Sequence, residues 1–243
     1  MQFGGSRTDR PPPVHIAEAL TAGAAVLGHR PAVTVLHRHA RYEQSGASLA
    51  NWAAKGAHLL ELDHLVGPGR TVRLLAPPCW TSASVALATW WLGATLSLAG
   101  EDPAEVTVGH PSQLTAPGTG HPDLLLGDGL DGAPSPDASD TATAQSPAWT
   151  REAQPLPDHP PPARAGADLP ALRTPSRTWS QAELLTVAGA LGEGTLGVEA
   201  GTTDPISALV AVSLRPLVTG QATVVLRDVA REAATAERVR TWL

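Results

Sequence analysis

The sequence predicts an α/β fold, an open and mostly parallel sheet with covering helices. Three observations indicate this class. Residues 71–100 read as strand, helix and strand with short joints, which is typical of a right-handed crossover between parallel strands. No charged residue occurs between Leu74 and Gly100, as expected when strands are covered on both faces. After residue 178, strand and helix patterns alternate again.

The same uncharged stretch raises the alternative of a membrane span, which needs about 20 continuous apolar residues. Pro77 and Pro78 argue against it because they remove two amide donors and force extended geometry on the residues before them. Gly93 interrupts the apolar stretch towards its C-terminal end. We therefore expect a buried crossover and no membrane span.

The helix of this crossover is expected over 82–92, with Thr81 or Ser82 as its cap. Trp90 and Trp91 would lie about 100° apart around such a helix. Burying both tryptophans therefore requires cover from two directions.

The rest of the first half predicts further elements of the same kind. The clearest is an amphipathic helix over 48–63, in which apolar residues recur every three or four positions. The others are a helix over 15–24, a strand over 31–37 with a hairpin partner over 40–45, and strands over 104–109 and 123–127.

The second half of the chain begins with a change in composition. Ten of the 23 prolines lie between Pro134 and Pro175, and such a stretch buries too little surface to offset its ordering entropy. Trp149 is an exception that is expected to dock onto the folded part. The expected organisation is a disordered N-terminus (1–13) followed by an α/β subdomain (14–130). A Pro/Ala/Ser-rich loop or linker (131–177) then leads to a second α/β segment (178–243) packed with the first.

From residue 178 the sequence again predicts regular secondary structure, beginning with a fairly specific pattern for the start of a helix. Ser180 and Glu183 have the spacing of a capping box, just ahead of an apolar run to residue 191. The pattern then predicts a strand over 195–200, a helix over 205–218, a strand over 222–227 and a final helix over 230–243.

Composition excludes several functional classes. A formal net charge of −6 argues against nucleic-acid binding, which needs clustered cations, and Lys55 is the only lysine. Cys79 is the only cysteine, which excludes an intrachain disulfide and suits a reducing cytoplasm, and the N-terminus lacks the pattern of a secretory signal. Abundant Ala, Gly, Pro and Arg indicate a high-GC bacterial gene.

With the elements in order, 41–109 and 178–228 resemble the N-terminal domain of the adenylate-forming superfamily, which includes the acyl-CoA synthetases. The resemblance is carried by the run from Tyr42 to Leu62, and by "LVGPGRTVRLLAPP", "VALATWWLGA" and "SQAELLTVAGAL…PLVTGQATVVL". It implies the fold of that domain in a truncated, degenerate relative, within a short actinobacterial branch.

Departures from the family pattern bear on function. The resemblance places the family's phosphate loop at 165–177, where the glycine cluster and the lysine are missing. The family's ribose-binding aspartate and its C-terminal domain with the adenylation lysine lie past the last residue. We therefore expect no adenylation, no catalytic residue and no cofactor.

The resemblance also implies a carboxylate pocket built partly from 198–207. Its ligand-binding residues would be Val198, Thr202, Thr203 and Asp204. The alternative for the string "AGTTDP" is a turn in which Asp204 or Thr203 caps the next helix.

Other reactive residues form no recognised constellation. The nine histidines show no zinc-binding spacing, so no metal site is expected. Cys79, at the proline elbow, is expected to be a small buried residue; the alternative is a thiol activated by a helix N-terminus.

Three functional hypotheses follow. The first is a catalytically silent domain that serves as a binding or interaction module, with another protein chain or an acyl-type small molecule as its partner. The second is a fragment of an AMP-forming acid ligase that depends on a partner chain. The third is a soluble binder of acyl groups or other small molecules.

Overall fold

The computed structural model describes residues 11–38, 40–98, 103–114, 121–127, 129, 131–132 and 146–243. Residues 1–10 of the expected disordered N-terminus, and 133–145 of the expected linker, lie outside the described residues.

The helices and strands alternate along the chain, as the sequence predicts. The helices are α1 (Ile16–Leu27), α2 (Gly46–His64), α3 (Trp80–Trp91), α4 (Trp149–Ala153), α5 (Gln181–Ala190), α6 (Pro205–Ser213) and α7 (Arg215–Thr219). The strands are β1 (Pro31–His37), β2 (Ala40–Ser45), β3 (Thr71–Leu75), β4 (Thr95–Ser97), β5 (Val106–Gly109), β6 (Leu124–Leu125), β7 (Pro170–Arg173), β8 (Thr178–Ser180), β9 (Leu196–Glu199), β10 (Thr223–Arg227) and β11 (Thr241–Trp242). Among the described residues, Pro111–Gln113 and Arg231–Glu237 form 3₁₀ helices.

The strands form two sheets rather than one. One sheet has the order β11-β9-β10-β1-β2, and the other has the order β6-β5-β3-β4-β7-β8. Pairing is parallel except in the hairpins β1–β2 and β7–β8. The predicted α/β class is thus confirmed, and strands after residue 178 are divided between the two sheets. The register aligns Val33 of β1 with Thr223 of β10.

The predicted crossover is confirmed as β3–α3–β4, with β3 and β4 parallel. Trp90 is fully buried and donates from its Nε1 to the carbonyl of Ala171, at 2.7 Å. Trp91 donates from Nε1 to the carbonyl of Pro161, at 2.8 Å. The two indoles are therefore covered from different directions, both by residues of the Pro-rich stretch. No described helix combines the length and apolar character that a membrane crossing requires.

The start of α3 differs from the prediction. The helix begins at Trp80, two residues early, and its N-cap is Cys79 rather than Thr81 or Ser82. Ser82 Oγ instead accepts a hydrogen bond from the Cys79 amide at 2.9 Å. A serine three residues into a helix can satisfy the amide of the cap, so the polar residue lies inside the helix rather than before it.

The described part of the Pro-rich stretch contacts α2. Trp149, which begins α4, is fully buried, as predicted. Its ring lies so close to Gly56 that a Cβ there would be 2.4 Å from a ring carbon. Lys55 Nζ donates to the carbonyl of Gln154 at 2.8 Å and forms an ion pair with Asp158 at 2.8 Å. The only lysine of the chain therefore has a structural partner set.

The last third differs from the prediction at two points. The helix expected over 205–218 is divided into α6 and α7, because Pro216 has no amide hydrogen to continue the first helix. The final helix expected over 230–243 is wrong. That segment forms the 3₁₀ helix Arg231–Glu237 and then β11. Trp242 packs flat against Gly197, with the Arg231 guanidinium 4.8 Å from its ring centre, and this tertiary contact overrides helical propensity.

Candidate functional site

A cleft of about 270 Å³ opens beyond the carboxyl ends of strands from both sheets. Ligands of open α/β sheets bind at this end of the strands. The lining residues come from the end of β3 and the elbow after it, the ends of β4 and β9, the 3₁₀ helix after β5, and the start of α6: Leu74, Leu75, Ala76, Pro77, Pro78, Leu98, Gln113, Ala200, Thr202, Pro205 and Leu209.

The side chains that line the cleft are mostly apolar, although the surface of the cleft is about as polar as it is apolar. The Pro77–Pro78 elbow ends β3 and carries the backbone into α3. On the other side, Pro205 begins α6 directly after the turn that follows β9. Within the part of the chain that the structure describes, Gln113 and Thr202 are the polar side chains of the lining, and none of its side chains is ionisable. The described lining therefore suits an uncharged ligand that has both a polar and an apolar part.

The four predicted ligand-binding residues take different places. Thr202 lines the cleft, and its Oγ1 accepts from the Asp204 amide at 3.3 Å. Asp204 caps α6, with its Oδ1 accepting from the Ser207 amide at 3.0 Å. Thr203 is exposed, and Val198 is buried in a small cluster between β9 and α6. The capping alternative for Asp204 is confirmed, and ligand binding by these residues stays a prediction.

Sequence reasoning missed most of the lining. Leu74, Leu75 and Leu98 read as ordinary strand residues, and Gln113 follows a strand without any motif. One signal was available: the Pro–Pro elbow marks the carboxyl end of a parallel strand, where ligand sites form.

A buried polar group lies at the ends of β5 and β10. Burial, assisted by the nearby Arg227 guanidinium, lowers the pKa of His110 to about 4. Burial lowers the pKa of Arg227 as well, and Cys79 and Asp228 act in the opposite direction. Cys79 is 3% exposed, as predicted, and its Sγ is 2.9 Å from Thr81 Oγ1. His110 is therefore neutral in the folded protein at pH 7.

This histidine predicts a loss of stability in acid. Because the pKa of His110 is depressed from 6.5 to about 4, the unfolded chain takes up its proton first as pH falls. The contribution of neutral His110 to the free energy of unfolding is about 3 kcal/mol. It is fully present above pH 6.5 and is lost between pH 6.5 and 4. Urea titrations of the wild type and His110→Asn at pH 7.5 and 4.0 should show their stability difference changing by about that amount. The exposed His29→Asn should follow the wild type at both values; a pH-independent difference for His110→Asn would contradict the prediction.

The described residues contain no group of three or more His, Cys, Asp or Glu side chains that could hold a metal ion.

The resemblance aligns the phosphate loop with 165–177. Within that segment Pro170–Arg173 forms β7, and residues 174–177 form a tight turn into β8. The Thr174 amide donates to the carbonyl of Arg177 at 2.8 Å, and the Arg177 amide approaches the carbonyl and hydroxyl of Thr174 at 3.4 and 3.2 Å. These two amides are therefore used within the turn. A phosphate cradle needs several backbone amides that point outwards.

The N-terminus of α5, the helix after this hairpin, is capped by the carboxylate of Glu183. The capping box of α5 is confirmed: Ser180 Oγ accepts from the Glu183 amide at 3.2 Å, and Glu183 Oε2 accepts from the Ser180 amide at 2.8 Å. Arg177 donates to Glu183 at 2.9 Å and stacks over Trp179 at 4.9 Å. The Ser180 amide, followed by Arg177, lowers the pKa of Glu183. The cap amide of α5 is thus bound by a carboxylate of the chain itself.

Comparisons with solved structures identify the fold, whereas comparisons of sequence match little of the chain. A scan against models of protein families finds no match. A "TIGR03089 family protein" of Mycobacterium tuberculosis is 41% identical over 68 residues, which is 28% of this chain and 28% of that protein. Coronafacic acid ligase of Pectobacterium brasiliense superposes with a TM-score of 0.66 at 12% identity, over 91% of this chain and 47% of the ligase.

Two further solved structures superpose equally well. The N-terminal domain of FACL13 from Mycobacterium tuberculosis has a TM-score of 0.66 at 14% identity, over 94% of this chain and 62% of that domain. The acyl-CoA synthetase of Brucella canis has a TM-score of 0.66 at 13% identity, over 93% of this chain and 49% of the enzyme. The chain therefore has the fold of the N-terminal domain of acyl-CoA synthetase-like, adenylate-forming enzymes, and it spans about half the length of the full enzymes that it matches.

Proposed function

We propose that this chain is a catalytically silent domain of the acyl-CoA synthetase-like fold that acts as a binding module. The observation that carries the proposal is the closed β7–β8 hairpin, with the Glu183 carboxylate bound at the start of α5. Adenylation builds negative charge on a phosphate and needs cations and amides to stabilise it. Here Arg177, a cation on that hairpin, already pairs with Glu183.

Between a protein partner and a small molecule as the ligand, the cleft favours the small molecule. It is concave, it is lined mainly by apolar side chains, and its volume of about 270 Å³ is near the lower end of known ligand pockets. We extend the proposal accordingly: the module binds a small molecule at the carboxyl ends of β3 and β9. A cytoplasmic setting is part of the proposal and is supported by the single, buried Cys79.

A pyrophosphate-exchange assay tests the loss of catalysis. The purified protein is incubated with ATP, Mg²⁺, labelled pyrophosphate and a panel of carboxylic acids, beside an active acyl-CoA synthetase as the positive control. We expect no exchange above the enzyme-free rate, and no heat of binding when Mg²⁺–ATP is titrated into the protein. Exchange that follows the protein through purification, at a rate comparable to the control enzyme, would overturn the proposal.

A further inference from the structure

We infer that the cleft between the two sheets selects a small, uncharged ligand with an amide head group over a carboxylate of the same size. The inference rests on the proposed function, since it names the ligand class of that binding module. It departs from acid ligation because it replaces the charged acid with a neutral ligand.

The size and walls of the cleft set the first limit. A volume of about 270 Å³ is just below the usual range of ligand pockets, so the cleft suits a small ligand. Leu75 and Leu98 are partly exposed and present aliphatic surface to it, whereas Leu74 and Leu209 are only 2% and 4% exposed behind them. A short alkyl chain fits these walls.

Charge sets the second limit. Among the described residues, the lining includes no lysine, arginine or histidine that could pair with a carboxylate. Moving an ionised carboxylate from water into such a site is unfavourable unless it is paired. A neutral head group avoids that cost.

The start of α6 would be the natural place for an anion at this cleft, because Pro205 and Leu209 of that helix line it. That place is taken by the side chain of Asp204, which accepts from the Ser207 amide at 3.0 Å. The helix dipole is therefore used by an internal carboxylate, and a ligand carboxylate beside it would meet a like charge.

The two polar residues of the lining match an amide. Thr202 Oγ1 accepts from the Asp204 amide, which leaves its hydroxyl hydrogen to donate to a ligand carbonyl. Gln113 carries both a donor and an acceptor in its side chain. A primary amide offers a carbonyl to the threonine and an N–H group to the glutamine, whereas a carboxylate offers acceptors only.

The test compares hexanamide with hexanoate, which share their chain and differ in charge. Both are titrated into the full chain at pH 7.5, with binding followed by ligand-observed NMR. We expect hexanamide to bind at least about tenfold more tightly than hexanoate. Hexanoate binding as tightly as hexanamide, or neither compound binding up to its solubility limit, would overturn the inference.

Variants locate the binding. Thr202→Val should weaken hexanamide several-fold, and Asp204→Asn, which keeps the cap but removes its charge, should narrow the ratio between the two compounds. Thr186→Val on the exposed face of α5 is the matched control and should change neither affinity. An unchanged hexanamide affinity in Thr202→Val contradicts the inference. If that variant fails to fold, the wild-type ratio decides alone.

The two proposals fail separately. Pyrophosphate exchange by the purified protein would refute catalytic silence and leave the ligand preference untouched. A preference for hexanoate would refute the ligand class and leave the absence of exchange unaffected.

Discussion

Replacing Trp149 with alanine is expected to lower the free energy of unfolding by about 4 kcal/mol, measured by urea denaturation at pH 7.5. The side chain is fully buried, and its ring lies against Gly56 of α2. Removing it leaves a large cavity that the helices around it can fill only in part. The effect would establish that the Pro-rich stretch belongs to the same cooperative unit as the helices it contacts.

A second variant at this position separates packing from hydrogen bonding. The buried Nε1 of Trp149 has no hydrogen-bond partner in the described structure, so Trp149→Phe should lose only part of the contact area and cost far less than alanine. Gly56→Ala should be destabilising because its new Cβ would lie 2.4 Å from the indole. Combining it with Trp149→Phe should cost less than the two changes summed. A decrease of less than about 1 kcal/mol in the free energy of unfolding of Trp149→Ala would contradict the predicted role of this side chain in packing.

Replacing Arg215 with methionine should cost a comparable amount, about 4 kcal/mol. Its guanidinium is fully buried at the start of α7 and donates to the carbonyls of Gly192, Gly194, Gln221 and Ala222. No carboxylate among the described residues forms an ion pair with it, and burial lowers the pKa of Arg215. Methionine fills much of the volume but offers no donor to these carbonyl oxygens, although that of Ala222 keeps a hydrogen bond from the Leu196 amide at 3.3 Å.

The matched control is an arginine that also bonds a carbonyl but at the surface. Arg30 donates to the carbonyl of Val26 at 2.8 Å and is exposed, so Arg30→Met should cost no more than about 0.5 kcal/mol. The loss of stability in Arg215→Lys should lie between those of Arg30→Met and Arg215→Met, because an ammonium group has three donors and cannot bond all four carbonyls. Equal unfolding midpoints for Arg215→Met and the wild type would contradict the role of this side chain.

Local patterns predicted most elements of this fold because their determinants lie within a few residues of each other. The capping box of Ser180 and Glu183 is complete within four residues, and the β1–β2 hairpin joins neighbouring segments. The final segment could not be predicted in this way. Its course depends on Trp242 packing against Gly197, which lies in β9 and far back in the chain.

The candidate site was predictable only in part for a related reason. Thr202 was found because it lies in a polar string after a strand, and Asp204 in the same string was correctly offered as a cap. The apolar walls carry no signal of their own, since a leucine at the end of a strand looks the same whether it faces a core or a cleft. Which strand ends meet depends on the division of the strands into two sheets, and no local pattern records that division.

That division also affects how the protein reaches its native state. Val33 of β1 pairs with Thr223 of β10, the central strand of that sheet, so β1 can pair with it only after 190 more residues have been synthesised. At ribosomal rates of about 5–20 residues per second, that delay is on the order of 10–40 s. During this interval the nascent hairpin exposes an unpaired apolar edge, and contacts of such long sequence separation form slowly. Biosynthesis in the cell should therefore rely on chaperones more heavily than the finished molecule's size suggests.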